Sequence, residues 1–241
     1  MDRSGLKHFA PPLRGANIIE RMMCLKRDDF RTGAALAILA ALFTFLVRVM
    51  DVAAIGPAGT QVGFSHLNSA VHDALGVHMA LYKLTQLLGY AVLSLVAVFA
   101  VVGLLQLIRR KSLWKVDREI LALGVLYVVV FALYILFEKA IVNYRPVIMP
   151  GELAPEASFP SSHTMLACTV LGSAALLLKK YVKDESLARI LRVACVIVMA
   201  VIVCGRLLSG VHWLTDIIGG ILYSAALLFL FSGAVGAIEE K

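Results

Sequence analysis

Three short clusters of polar residues interrupt an otherwise apolar sequence, and their residue types suit the binding and transfer of a phosphoryl group. Arginine binds two phosphate oxygens with its planar fork and stays charged at any working pH. We therefore expect Arg145 and Arg206 to hold a phosphate, with the Ser161 hydroxyl as a further donor. The clusters are Asn143-Tyr144-Arg145-Pro146, Pro160-Ser161-Ser162-His163, and Gly205-Arg206 followed after five residues by His212 and after three more by Asp216.

The spacing of His212 and Asp216 predicts a histidine that is supported by a carboxylate. Residues four apart are neighbours on one face of a helix. A carboxylate that accepts from one imidazole nitrogen leaves the other free to attack, and it stabilises the cation that forms. His163 remains as the proton donor for a leaving oxygen. Segment 160–163 is also typical of the first turn of a helix, whose unpaired N–H groups favour an anion.

Six apolar runs must position these clusters. The chain has 241 residues, of which 60% are apolar and 16% charged, whereas soluble domains carry about 25% charged residues. This composition excludes disordered, collagenous and ordinary soluble proteins. A spanning helix needs about 20 apolar residues, so we predict an all-α, polytopic membrane protein with six transmembrane helices. The runs cover about 32–50, 82–108, 118–142, 163–179, 188–206 and 212–235.

The basic residues indicate the orientation and the domains. Segments 1–31, 109–118 and 179–192 hold 17 of the 23 Lys and Arg residues, and all three fall on one side of the six-span arrangement. By the positive-inside rule this side, with both termini, is cytoplasmic, so the polar clusters lie at the extracytoplasmic ends of the spans. We expect residues 1–31 to be a basic cytoplasmic tail, either an amphipathic helix on the membrane surface or a loosely ordered segment. Residues 32–236 form one six-span domain.

Each polar residue taken alone also has a structural explanation. Arg145 and Arg206 are typical of arginines that snorkel at a span end, and His212 beside Trp213 fits an aromatic belt at the interface. Asp216 is different, because an unpaired carboxylate within a span costs about 2.5–3.5 kcal/mol on insertion scales. The agreement of spacing and predicted side therefore favours one functional site.

Together the clusters resemble those of the type 2 phosphatidic acid phosphatases, membrane lipid phosphatases related to vanadium haloperoxidases. That family carries the patterns K-x6-R-P, P-S-G-H and S-R-x5-H-x3-D. The resemblance covers about residues 80–236, with Ser162 replacing the glycine of the second pattern and Gly205 the serine of the third. The matching residues are Arg145 and Pro146, then Pro160, Ser161 and His163, then Arg206, His212 and Asp216.

The resemblance implies a mechanism without a metal or other cofactor. His212 would attack phosphorus and form a phosphohistidine, Asp216 would support it, and His163 would protonate the leaving group before water releases the phosphate. The residues implied in phosphate binding are Arg145, Ser161, the Ser162 amide and Arg206.

One position departs from the family pattern. Glu138 stands seven residues before Arg145, where the family has lysine, and Lys139 is the nearest lysine. A shift of one residue turns a side chain by about 100° around a helix. We predict that Lys139 binds the phosphate, which requires an overwound or kinked helix end. The alternative is a site without this cation, in which Glu138 binds an amine or a water.

The sequence therefore predicts a hydrolase of lipid phosphates or diphosphates. Undecaprenyl diphosphate is the favoured substrate, since a phosphate that leaves from a diphosphate depends less on protonation by His163. The alternatives are phosphatidate or phosphatidylglycerol phosphate, a lipid phosphotransferase, and an anion transporter without catalysis. The bilayer and a lipid phosphate are the expected partners, and nucleic acid is not. We expect no cleavable signal peptide and a bacterial plasma membrane location, while the oligomeric state is left open.

A further group of histidines matches no zinc signature. It favours a solvated loop or a short helix that begins near Ser65. The group consists of His66, His72, Asp73 and His78.

Overall fold

The computed structural model describes residues 18–238, with side chains described over residues 28–178 and 180–236. In this part of the chain we find seven α-helices, two short 3-10 turns, and two isolated β-bridges but no strand. The helices are α1 (Ile18–Val49), α2 (Ser65–Leu75), α3 (Met79–Arg110), α4 (Arg118–Lys139), α5 (Ser162–Tyr181), α6 (Glu185–Leu208) and α7 (Leu214–Ile238).

Five of the described helices are long and apolar enough to cross a membrane, namely α1 from Asp28 together with α3, α4, α6 and α7. Helix α5 has a shorter apolar stretch, Ser162–Leu178. The prediction of an all-α, multi-pass membrane protein is confirmed, and the number of six spans stays a prediction. The last five predicted apolar runs each coincide with one helix to within a few residues, whereas the run 32–50 is the C-terminal part of the longer α1.

The N-terminal segment continues into the first span. Helix α1 begins at Ile18 without a break before Val49, so the stretch expected to form an interfacial helix is part of α1. Residues 1–17 of the predicted tail lie outside the described residues. Helix α1 packs along α7, where Ser232 Oγ donates a 2.8 Å hydrogen bond to Asp29. The side chain of Leu230 lies against Gly33, so the two helices approach closely.

Helix α5 lies at the centre of the bundle, in contact with α3, α4, α6 and α7. Val170 of α5 and Ile202 of α6 are fully buried in the same apolar cluster. Many leucine, isoleucine and valine side chains on the outer faces of α3, α4 and α6 are exposed, as expected for helices that face lipid. At the end of the bundle opposite the polar clusters, Lys180 pairs with the buried Glu119.

Candidate active site

The three polar clusters meet at one end of the helix bundle. Arg145 lies in the loop after α4, His163 in the first turn of α5, Arg206 in the last turn of α6, and His212 and Asp216 around the start of α7. The loop folds back on itself through a bridge between Tyr144 and Ala157, which carries Arg145 toward the ends of the other helices.

His212 and Asp216 form a buried pair. His212 Nδ1 lies 3.5 Å from Asp216 Oδ2, within ion-pair distance, although Nδ1 makes no hydrogen bond of acceptable geometry in the described structure. The spacing suggested two neighbours on one helix, but α7 begins at Leu214, so His212 lies in the turn before it. The reason is that Asp216 Oδ2 accepts from the Trp213 backbone N–H at 2.9 Å, which closes this turn.

Arg145 lies directly beside His212. Its Nη1 is 3.4 Å from His212 Nε2, and its Nε is 2.9 Å from a carboxylate oxygen of Glu156. Burial, followed by the positive charges of Arg145 and Arg206, holds the pKa of His212 well below its ordinary value. The imidazole is therefore neutral at physiological pH, the state in which a histidine can act as a nucleophile.

Arg206 is a fully buried cation with unused donors. Its Nη2 donates a 2.8 Å hydrogen bond to Gln86 Oε1, and its guanidinium carbon lies 4.9 Å from the centre of the Tyr82 ring. Its Nε and Nη1 have no hydrogen-bond partner among the described residues. Because a buried cation with unpaired donors is costly, this arrangement favours the binding of an anion.

The start of α5 brings Ser161, Ser162 and His163 to the same place. The Ser161 hydroxyl accepts from the Thr164 N–H at 3.4 Å and so caps the helix, while its backbone N–H donates to the Asp216 carbonyl at 2.9 Å. His163 is within electrostatic range of Arg145, Arg206 and His212. Its Nδ1 has no hydrogen-bond partner among the described residues, which leaves the ring able to exchange a proton with a ligand.

Two glycines near this site, Gly89 and Gly205, lie where helices approach each other closely. A Cβ atom on Gly89 would lie 2.9 Å from His163 Cδ2, so α3 makes room for the imidazole only because it has no side chain there. A Cβ on Gly205 would lie 2.6 Å from the Thr85 side chain. The serine of the family pattern would therefore collide with α3 at this position.

A cavity opens between Arg145 and His212. Its lining shows which of Glu138 and Lys139 lies beside the site. Glu138 lines this cavity together with Tyr134 and Ser162, whereas Lys139 does not. Helix α4 is regular up to Lys139, with no kink that would turn the lysine inward. A phosphate role for Lys139 stays a prediction, and it requires a movement of this helix end.

Sequence reasoning missed a buried polar network beside His212 and Asp216. Asn68 of α2 donates to Thr215 Oγ1 at 2.9 Å and accepts from the Thr215 N–H at 3.2 Å. Asn143 lies 3.4 Å from the same hydroxyl and 3.5 Å from Asp216 Oδ1. Gln86, which holds Arg206, was also missed. For Gln86 the available signal was a polar side chain within the apolar run 82–108.

The outer histidines do not gather around a common point. Helix α2 begins at Ser65, as one of the two sequence alternatives expects, and His66 Nδ1 pairs with Asp51 at 2.7 Å. The His72 ring is tilted against the Trp213 ring, with ring centres 5.3 Å apart. Across the residues that the structure describes, no group of three or more His, Cys, Asp or Glu is placed to hold a metal ion.

Comparisons with known proteins bear on the family and the fold of the chain. The family model of the PAP2 superfamily matches residues 121–239. The fold is similar to the crystal structure of a transmembrane PAP2-type phosphatidylglycerolphosphate phosphatase from Bacillus subtilis, with a TM-score of 0.60 and 19% sequence identity over 87% of this chain and 96% of that one. No curated protein sequence matches the chain significantly.

Proposed function

The chain belongs to the type 2 phosphatidic acid phosphatase superfamily, and on that premise we propose that it removes phosphate from a lipid phosphate or diphosphate through a phosphohistidine at His212. The observation that carries the proposal is the buried guanidinium of Arg206, whose two unpaired donors lie near a neutral histidine. An anion that binds there would also meet Arg145, which lies beside the attacking nitrogen.

The proposed reaction has two steps. His212 Nε2 attacks phosphorus, a nitrogen–phosphorus bond forms, and the bond to the lipid oxygen breaks as His163 gives that oxygen a proton. Water then attacks the phosphohistidine, passes a proton to His163, and releases inorganic phosphate. Asp216 stabilises the imidazolium character of His212, and Arg145, Ser161, the Ser162 amide and Arg206 balance the charge on the phosphoryl oxygens.

We place the reaction at the extracytoplasmic face of a bacterial plasma membrane. The support is the distribution of basic residues, since the described basic segments 109–118 and 179–192 lie at the end of the bundle opposite His212. The proposed chemistry uses arginines where other phosphoryl-transfer enzymes use magnesium, so we propose that no metal is required.

We favour a polyprenyl diphosphate such as undecaprenyl diphosphate as the substrate. Its leaving group is a phosphate. A phosphate is a weaker base than an alkoxide, so its departure depends less on protonation by His163. An apolar groove of about 490 Å³ begins beside His163 and is suited to a lipid tail. Phosphatidylglycerol phosphate and phosphatidate are the alternatives, and the structural relative is named for the first of them.

Trapping the intermediate tests the proposal. Detergent-solubilised protein is mixed with a lipid substrate that carries a radiolabelled terminal phosphate, quenched in base, and examined for acid-labile, base-stable label. We expect label on the wild type and none on His212→Ala. If the wild type turned over substrate but carried no label at any quench time, the phosphohistidine would be contradicted.

A comparison of headgroups tests the substrate. We expect kcat/KM for farnesyl or undecaprenyl diphosphate to exceed that for phosphatidate in mixed micelles. A preference for phosphatidate of more than about tenfold, or about 1.4 kcal/mol of transition-state binding, would show that the diphosphate assignment is wrong. Lys139→Ala and Glu138→Gln belong in the same experiment. An unchanged profile for Lys139→Ala would show that this lysine does not contribute.

A further inference from the structure

The cavity at the phosphate site continues into a groove along the helices. The first section of the groove lies between α3, α4 and α5 and shares Tyr134, Ser162 and Met165 with the cavity beside His212. The second section lies between α3 and α4 toward the opposite end of the bundle, and it shares Val96 and Tyr127 with the first. The two sections and the cavity beside His212 are therefore neighbours along the helices.

The groove is too long for a lipid that occupies one leaflet. Its lining on α3 runs from Gln86 to Leu107, which at 1.5 Å per residue is about 32 Å. The hydrocarbon core of a bilayer is about 30 Å thick, so the acyl chains of a glycerolipid extend about half that distance. The second section therefore lies beyond the reach of a glycerolipid whose phosphate is at His212.

The lining of the second section is apolar and leaves room for a chain. Gly103 and Gly124 face it from the two helices, and a Cβ atom on Gly124 would meet no atom within 4 Å. Tyr127, at the junction of the two sections, is held by a 3.3 Å hydrogen bond between its hydroxyl and Ser173. Helices α3 and α4 contact each other little, so a flexible chain can enter from the side.

We propose that this second section binds the distal part of a long isoprenoid tail, so that the enzyme selects its substrate by tail length as well as by headgroup. The inference rests on the proposed phosphatase function and names the tail class for the same site. The commitment to an isoprenoid follows from length, because the tail must pass from the phosphate site across the midplane of the bilayer. An ordinary bilayer lipid lying in the groove is the competing explanation, and it predicts no dependence on tail length.

The test compares two substrates with the same diphosphate headgroup, farnesyl and undecaprenyl diphosphate. Gly124→Leu fills the open space of the second section and replaces glycine by a better helix former, so the fold is expected to persist. Ala132→Leu is the matched control, since Ala132 is exposed on the same helix and lines neither section. We expect the wild type to favour the long tail by at least about tenfold in kcat/KM, because only the long tail reaches the second section and gains van der Waals contacts with its walls.

Gly124→Leu should remove most of this preference and leave farnesyl diphosphate hydrolysis unchanged, while Ala132→Leu changes neither. A long-to-short ratio that Gly124→Leu leaves unaltered would overturn the tail site while the phosphatase function stands. If the proposed phosphatase function were wrong, the result would be different: the wild type would hydrolyse neither substrate.

A binding measurement tests the tail site even if the wild type hydrolyses neither substrate. A polyprenyl phosphate with a photoreactive group at the far end of its tail is expected to label peptides around Gly103 and Gly124 in the wild type, and less in Gly124→Leu. Equal labelling of the two proteins would also reject the tail site.

Discussion

Nη1 of Arg145 lies 3.4 Å from Nε2 of His212. A guanidinium is only a donor, so the histidine nitrogen in this contact presents its lone pair to the arginine. The proton of the neutral ring is then on Nδ1, which faces the Asp216 carboxylate at 3.5 Å. This is the tautomer that a nucleophilic histidine needs, and a phosphate bound by Arg145 would meet Nε2 directly.

The first prediction concerns the two members of this pair. His212→Ala should lower kcat by at least about 10⁴-fold, because it removes the atom that bonds to phosphorus. Asp216→Asn should be milder, since an amide oxygen still accepts from the Trp213 N–H that closes the turn. The measurement is phosphate release by purified protein in micelles.

Two controls make this comparison decisive. Thermal melting should show that both variants remain folded, and the phosphohistidine assay should show label on Asp216→Asn but not on His212→Ala. Substantial turnover by folded His212→Ala protein would remove His212 as the nucleophile.

The second prediction concerns the protonation of His212. Since burial and the two arginines lower the pKa of His212, the neutral form persists as the pH falls through 6.5, the ordinary value for histidine. Protonation, and with it loss of the nucleophile, occurs only at a lower pH. Nitrogen-15 NMR of labelled protein, with His212 assigned by comparison with His212→Asn, should show a neutral ring at about pH 6.5.

Arg145→Gln tests whether the positive charge of Arg145 helps to lower the pKa of His212. Removing one of the positive charges should raise the pKa of His212 toward the ordinary value, because the protonated ring is then repelled less. A His212 that is already protonated in the wild type near neutral pH would contradict the electrostatic argument.

The sequence predicted the all-α membrane fold and the meeting of the three polar clusters at one end of the bundle, for a physical reason. Apolar runs of about 20 residues have few alternatives to spanning helices, and the motif residues sit at their ends. Asn68 and Gln86 were not predicted, because their partners Thr215 and Arg206 are more than a hundred positions away in the chain. That Glu138 lines the cavity was also not predicted. It depends on where α4 ends, and the hydrophobic periodicity of the sequence does not define a helix end.

The third prediction uses the contact between α3 and His163, the proposed general acid. In Gly89→Ala the new methyl group would lie 2.9 Å from His163 Cδ2 and 3.3 Å from Nε2, so the ring must shift. A displacement of the order of 1 Å can cost about 10²-fold in rate, and we expect kcat to fall by about that factor. The helix itself gains from alanine, so the melting temperature should not fall markedly.

Gly124→Ala is the matched control for this substitution, since its Cβ meets open space. Farnesyl diphosphate is the substrate of choice, because its short tail does not reach that position. Full activity of Gly89→Ala would show that His163 tolerates the shift or does not donate the proton.

The fourth prediction is that excess EDTA leaves the purified enzyme active without added magnesium. The positive charges that stabilise the transferring phosphoryl group come from Arg145 and Arg206 in the proposed mechanism. Initial rates before and after dialysis against EDTA are the measurement. Loss of activity that one divalent ion restores would contradict it.

The last prediction concerns the side of the membrane on which the reaction takes place. Lys111 and Glu152 are both exposed, Lys111 in the loop after α3 and Glu152 in the loop that carries Arg145. These loops lie at opposite ends of the bundle, so an impermeant thiol reagent can distinguish them. In a background without the native cysteines, we expect Glu152→Cys to be labelled in intact cells and Lys111→Cys only after permeabilisation. The physical reason is the excess of lysine and arginine in the loop around Lys111, which retains that end in the cytoplasm. The reverse pattern would move His212 to the cytoplasmic face and require a substrate presented from the inner leaflet.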